Sequence, residues 1–293
     1  MVFSDIMKSL RYIGYVALVI IATLIATALF QNPQTTAPQP VPAAQVPTTF
    51  RYTFNVDGSL AEIGSMENTH SPYWWLDSGG KLVIKDGVGE TIQGDLPASE
   101  NWYQEYARTN PDDTDGGVHP QNLFRLVSRS TWDDVRIEVS FKIVKDNLSK
   151  SANRNESNGL LLMSRYGEDG QTLYYSGIRV DGTAVIKKKY KGTYYTMAQE
   201  KVFPGTYDRD SRPNLLPHDG WIRLRGETVT NIDESVSVRL YMQDKEPGKW
   251  KLLVSARDNS QHEDTKPIVG ANPIGIRTDF MDVQFRDIVM EKL

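Results

Sequence analysis

The chain has 293 residues, 39% of them hydrophobic and 24% charged, and it contains no cysteine. That composition excludes a collagen-like repeat, a disulfide-stapled miniprotein, and any thiolate metal site or cysteine nucleophile. A net charge of -4 lacks the basic footprint of a nucleic-acid binder, so no nucleic acid is expected as a partner.

Residues 1–11 form a short N-terminus that carries Lys8 and Arg11, and residues 12–30 then run without a single charged side chain. Those 19 residues, at about 1.5 Å each, reach about 28 Å, close to the hydrocarbon thickness of a bilayer. The next basic residue is Arg51, so the positive-inside rule predicts a single-pass transmembrane signal anchor in the cell membrane, with everything after it extracytoplasmic. A cleaved secretory signal is the alternative, because Ala26-Thr-Ala28 fits a small-residue cleavage pattern. Residues 31–49 hold five of the 15 prolines and no charge, which predicts an extended Pro-rich stalk rather than a packed element.

From residue 50 to 293 the apolar signal alternates with period two. It does so over 124–129 (FRLVSR), 135–143 (VRIEVSFKI), 173–180 (LYYSGIRV), 221–225 (WIRLR), 236–241 (VSVRLY) and 283–289 (VQFRDIV), which predicts half-buried antiparallel strands in one all-β sandwich. Asp181-Gly182, between a strand ending at Val180 and one starting at Thr183, suits a two-residue type I′ hairpin turn, and Lys191-Gly192 marks the next turn. No helical stripe is expected in this part of the chain. Three polar stretches, 95–122, 145–157 and 203–219, are long enough to be functional loops; the second reads as a mobile hairpin tip, and the first and third as borders of a groove.

The order of these strands, with Asn158-Gly-Leu-Leu-Leu-Met-Ser-Arg165, Tyr174-Tyr-Ser-Gly-Ile-Arg-Val-Asp-Gly182, Ile274-Gly-Ile-Arg277 and the terminal 283–289 strand, resembles the concanavalin A-like lectin/glucanase superfamily. In style it is similar to laminin-G-like and 3-keto-disaccharide-hydrolase-type jelly rolls. The resemblance covers residues 50–293 and implies a two-sheet antiparallel jelly-roll sandwich whose concave sheet offers a groove for saccharides, often with a structural calcium ion. Asp57 and Asp282, on strands that commonly pair in the family, are the residues it suggests for that Ca2+.

Aromatic faces stack on pyranose rings, while arginine and lysine neutralise carboxylates. Between Arg179 and Lys201 lie six basic residues against Asp181 and Glu200, in a chain that is net negative. Strand alternation places Tyr175 and Arg179 on one face, and Lys187 and Lys189 on the matching face of the hairpin partner. Tyr175, Arg179, Lys187, Lys189 and Tyr194 are therefore the candidate carbohydrate-binding residues, and Trp102 is a candidate for the groove rim. Surface tyrosines and aggregation-blunting lysines would produce the same pattern without a ligand.

Catalytic constellations are incomplete. The glucanase motif E-x-D-x-x-E has its nearest match at Glu100-Asn-Trp102-Tyr-Gln-Glu105, with tryptophan at the central aspartate. Arg136-Ile-Glu138 and Lys191-Gly192-Thr193-Tyr194 match alginate-lyase motifs only in part, and no Q-[IV]-H follows. His70, His119, His218 and His262 are too scattered for a metal pair, and 110–116 lacks the EF-hand register. The expectation is a membrane-anchored carbohydrate-binding domain for a polysaccharide or glycan with acidic groups. The alternatives are a polysaccharide lyase or glycoside hydrolase, and an adhesive domain with a protein partner.

Overall fold

The computed structural model describes residues 48–293 except 245, 247, 263 and 264. In chain order the strands are β1 (Thr49–Tyr52), β2 (Gly58–Ala61), β3 (Trp74–Ser78), β4 (Lys81–Lys85), β5 (Val88–Glu90), β6 (Leu123–Trp132), β7 (Val135–Asp146) and β8 (Gly159–Ser164). They continue with β9 (Leu173–Arg179), β10 (Thr183–Tyr190), β11 (Thr193–Lys201), β12 (Ile222–Thr230), β13 (Val236–Gln243), β14 (Trp250–Asp258), β15 (Asn272–Asp279) and β16 (Met281–Lys292). A helix, α1 (Asn101–Thr109), precedes β6.

The strands form two antiparallel sheets. One runs β14-β13-β12-β7-β16-β5-β4-β2, with β1 also paired to β16, and the other runs β11-β10-β9-β8-β15-β6-β3. This all-β architecture fits the jelly-roll sandwich that the family resemblance implies. Among the described residues no helix is long and apolar enough to cross a membrane; the expected span at 12–30 and nearly all of the stalk at 31–49 lie outside them.

The period-two pattern decides which side chains meet between the sheets. On β7, Val135, Ile137, Val139, Phe141 and Ile143 all point inward and are buried. They face Leu160, Leu162, Tyr174, Ile178, Ile186 and Ile276 of the other sheet, and Phe285 joins the layers at 5.2 Å from the Phe124 ring and 5.8 Å from Phe141. Each such side chain contributes about 1.5–3 kcal/mol by leaving water. One ionic cluster interrupts this apolar layer: Lys188 of β10 contacts Asp258 of β14 at 2.7 Å, with both side chains fully buried.

The second sheet also buries part of its outward face. Trp75, Val127, Leu161, Met163, Leu173 and Tyr175 form a separate apolar cluster there, joined by Tyr166. Strands β8 and β9 are therefore covered on both sides, and Trp74 and Trp75 are both buried, one in each cluster.

Three expectations are corrected. The 95–122 stretch is not a plain loop, because 101–109 is helical: Tyr106 is buried, donates its hydroxyl proton to Glu62 Oε2 at 2.6 Å and accepts the Gly79 N–H at 2.8 Å. The β9–β10 connection is a three-residue loop, not a type I′ turn. Gly182 N–H donates to the Arg179 carbonyl at 2.8 Å and Gly182 alone of the loop has positive φ, at 79°, which is the type I turn plus left-handed glycine of longer hairpins. The two-residue mirror turn sits one hairpin later, where Lys191 (φ 49°) and Gly192 (φ 85°) are both left-handed. Finally, the 145–157 stretch does not project as a hairpin tip. Arg154 holds it from within, donating to the Ser149 and Arg209 carbonyls, while Ser151 and Asn153 donate to Asp113.

Candidate functional site

The groove lies on the outward face of the second sheet, where alternation along β9 and β10 turns Tyr175 and Lys187 the same way and antiparallel register sets them opposite each other. Strand β11 carries Tyr194 back over Tyr175, with the rings stacked at 6.1 Å and 23°. From β15, Arg277 donates to the Tyr175 hydroxyl at 3.2 Å and to Asp279 at 2.7 Å. Asn153, Asn155 and Asn158, from the chain leading into β8, and Asp113 from the 95–122 stretch complete the opposite wall. The cavity holds about 410 Å³, within the usual range of small-ligand sites.

Glycine shapes the floor. A Cβ at Gly177 would lie 2.2 Å from the Leu160 carbonyl oxygen and 2.8 Å from Leu161 Cδ2, so only a residue without a side chain lets these strands approach as they do.

Tyr175 and Tyr194 differ in what they can do. Tyr175 is only 3% exposed, so it supports the groove rather than stacking on a ligand. Burial pushes its phenol up to about 12, against the pull of Arg277. Tyr194 is 47% exposed and is the aromatic a ligand would touch. Burial alone would raise its phenol, but the Arg277 guanidinium and the Lys189 ammonium outweigh it and hold the group below the usual tyrosine range. Lys187 is pulled below the ordinary lysine range, first by burial and then by the positive charges of Arg179 and Arg277.

The structure thus brings together Tyr175, Lys187 and Tyr194 of the expected residues, with Lys189 beside them: its ammonium lies 5.2 Å from the Tyr194 ring centre and donates to the Gly170 carbonyl at 2.8 Å. Two others stand apart. Arg179 is clamped by Asp181 at the far end of β9, and Trp102 packs on α1 near Gly80 and Tyr106, away from the groove lining. Of the polar stretches expected as borders, 95–122 reaches the groove through Asp113, and the wall is otherwise made by 153–158, whereas 203–219 does not line it. Arg277, Asp279 and the three asparagines are additions. Period two along Ile274-Gly-Ile-Arg277 could have placed Arg277 on the face opposite Ile274 and Ile276; no short pattern marks the asparagines.

Asp57 and Asp282 do not share a site. Asp57 accepts the Asp86 N–H at 3.1 Å, while buried Asp282 accepts the Gly94 N–H at 2.7 Å and side-chain amide N–H groups of Gln121 and Asn147, each at 2.9 Å. Calcium takes six to eight oxygen ligands, and N–H donors crowd the one carboxylate, so the pair as placed does not fit that ion. Among the described residues no cluster of three or more His, Asp or Glu side chains is suited to a metal.

No protein-family model matches the chain. No curated protein matches it. Among solved structures it is similar to the carbohydrate-binding module CBM66 from Bacillus subtilis, at 12% identity and TM-score 0.47, covering 75% of this chain and 95% of that one. It is also similar to a Bacillus licheniformis β-glucanase, at 10% identity and TM-score 0.44, covering 85% and 100%. A third is a mutant of the GH43 protein BlXynB from Bacillus licheniformis, at 11% identity and TM-score 0.46, covering 83% of this chain and 39% of that one. At such identities and TM-scores the chemistry has to be read from the groove's own residues.

The 203–219 stretch has a different attachment, to the end of β7. His218 faces the Leu216 carbonyl through Nδ1 and the Asp146 carboxylate through Nε2, each at 2.9 Å, and Asn214 donates to the same carboxylate at 2.7 Å. Both imidazole nitrogens meet acceptors, which favours the doubly protonated ring. The hydrogen bond to Asp146 outweighs burial and raises His218 above its ordinary 6.5. A raised folded value means that the stabilisation is fully present below the unfolded value and is lost as pH rises through the folded one. Thermal melting between about pH 5 and pH 9 should show this loss in the wild type and not in His218→Gln; parallel profiles for the two proteins would contradict it.

Proposed function

We propose that the chain is a carbohydrate-binding protein that holds a polysaccharide bearing acidic groups in this groove, displayed outside the cell membrane by the segment at 12–30. The observation that carries the reading is the meeting of an exposed aromatic, Tyr194, and a cation, Lys187, with a wall of asparagine amides in one open cavity. Sugar rings offer apolar C–H faces to the aromatic and hydroxyls to the amides, which both donate and accept. Retardation of the full chain in gels containing neutral or acidic polysaccharides tests it. Tyr194→Ala should weaken binding about three- to tenfold, and Trp102→Ala should not. Equal loss in both variants, or loss in neither, would count against this groove.

One observation favours a second reading, eliminative cleavage of the polymer. A phenol held low beside Arg277 and Lys189 is suited to take a proton. Ultraviolet absorbance of unsaturated products would distinguish it from binding alone, and Tyr194→Phe should abolish product while preserving retention.

A further inference from the structure

Four cations sit on the outward face of β9, β10 and β15, and three are already engaged. Arg179 is paired with Asp181, Arg277 with Asp279 at 2.7 Å, and Lys189 donates to the Gly170 carbonyl at 2.8 Å. Lys187 lines the groove, is partly buried, and among the described residues has neither a hydrogen-bond nor an ion-pair partner. Its cross-strand neighbours are Tyr175 and Thr196, neither of which supplies a negative charge. Asp181 acts on this ammonium only at a distance, and the groove carboxylates Asp113 and Asp279 are engaged by Asn153 and Arg277, so a partly buried ammonium without a direct partner carries a desolvation cost that a bound anion would offset.

We propose that Lys187 is the specificity residue of the groove: it receives the carboxylate or sulfate of an acidic saccharide, and so separates acidic from neutral polymers. The inference rests on the saccharide reading above and deepens it by locating the anion subsite. Arg179, the arginine that strand alternation nominates, is excluded from this role because Asp181 neutralises it through two contacts. Arg277 is fixed between Asp279 and the Tyr175 hydroxyl and serves to hold the tyrosine pair in place.

The test compares polymers that differ only in charge. The full chain is run in gels containing polygalacturonate or its methyl ester, chondroitin sulfate or its desulfated form, and neutral laminarin. The wild type should bind the more highly charged member of at least one pair about tenfold more tightly. Lys187→Met should bring the two members of that pair to parity by weakening retention of the more highly charged one by the larger factor, Lys187→Arg should restore the preference, and Arg179→Ala should leave it intact. A preference that survives Lys187→Met, or a wild type that binds both members of every pair equally, overturns the assignment while leaving the saccharide reading in place. Absence of retardation by every polymer overturns both.

Discussion

Asp258→Ala should destabilise the sandwich by about 3–5 kcal/mol, because it strands a lysine ammonium between the sheets. Lys188 is completely buried, and its ammonium has two acceptors, Asp258 Oδ2 at 2.7 Å and the Lys266 carbonyl at 2.5 Å. The same carboxylate oxygen accepts the Tyr174 hydroxyl at 2.6 Å, and that hydroxyl in turn accepts the Ile268 N–H at 2.9 Å. Removing the anion therefore leaves a cation and a phenol together in an apolar layer. Replacing both charges, as Lys188→Met with Asp258→Leu, should recover much of the loss, since no uncompensated charge remains. Denaturant unfolding of the single and double variants checks this; a double variant as unstable as Asp258→Ala would mean that packing, not the unpaired charge, sets the cost.

Gly177→Ala should be a strongly damaging single-methyl addition beneath the groove. The new carbon would begin 2.2 Å from the Leu160 carbonyl oxygen, and a backbone atom of a central strand cannot move aside as a side chain would. Overpacking of this kind costs about 1–3 kcal/mol or more. It would also separate β8 from β9 beneath the groove, so ligand retention should fall together with the melting temperature. Gly58→Ala is the control, since a Cβ there meets nothing within 4 Å. Equal melting temperatures for the two variants would show that the sheet relaxes more readily than this contact implies.

Much of the sandwich was legible because period two is imposed by the pleat itself. The alternation Val135, Ile137, Val139, Phe141, Ile143 cannot bury one face in any other conformation, and the structure buries each of these residues. The helix at 101–109 was not legible for the same kind of reason: Tyr106 is its only buried residue, so no repeated stripe could announce it. In the groove, alternation found Tyr175 and Lys187, but one-dimensional charge density misled. Of the basic cluster between Arg179 and Lys201, Arg179 and Lys201 are tied to Asp181 and Lys188 points into the core. The polar wall comes from 153–158 and Asp113, some 40 residues apart in sequence, and their juxtaposition depends on tertiary contacts such as Asn153 to Asp113.

Lys187, Lys188 and Lys189 are chemically identical neighbours that meet three environments: a groove, a sealed ion pair, and a carbonyl at the rim. A one-residue slip of β10 against β9 would exchange the faces of all three. Two ammonium groups would then enter the space where a single aspartate waits, and the groove would receive the lysine that belongs in the core. Misaligned hairpins are thus penalised by unmatched charge rather than by shape alone, and the ion pair buried between the sheets also fixes which lysine faces the groove.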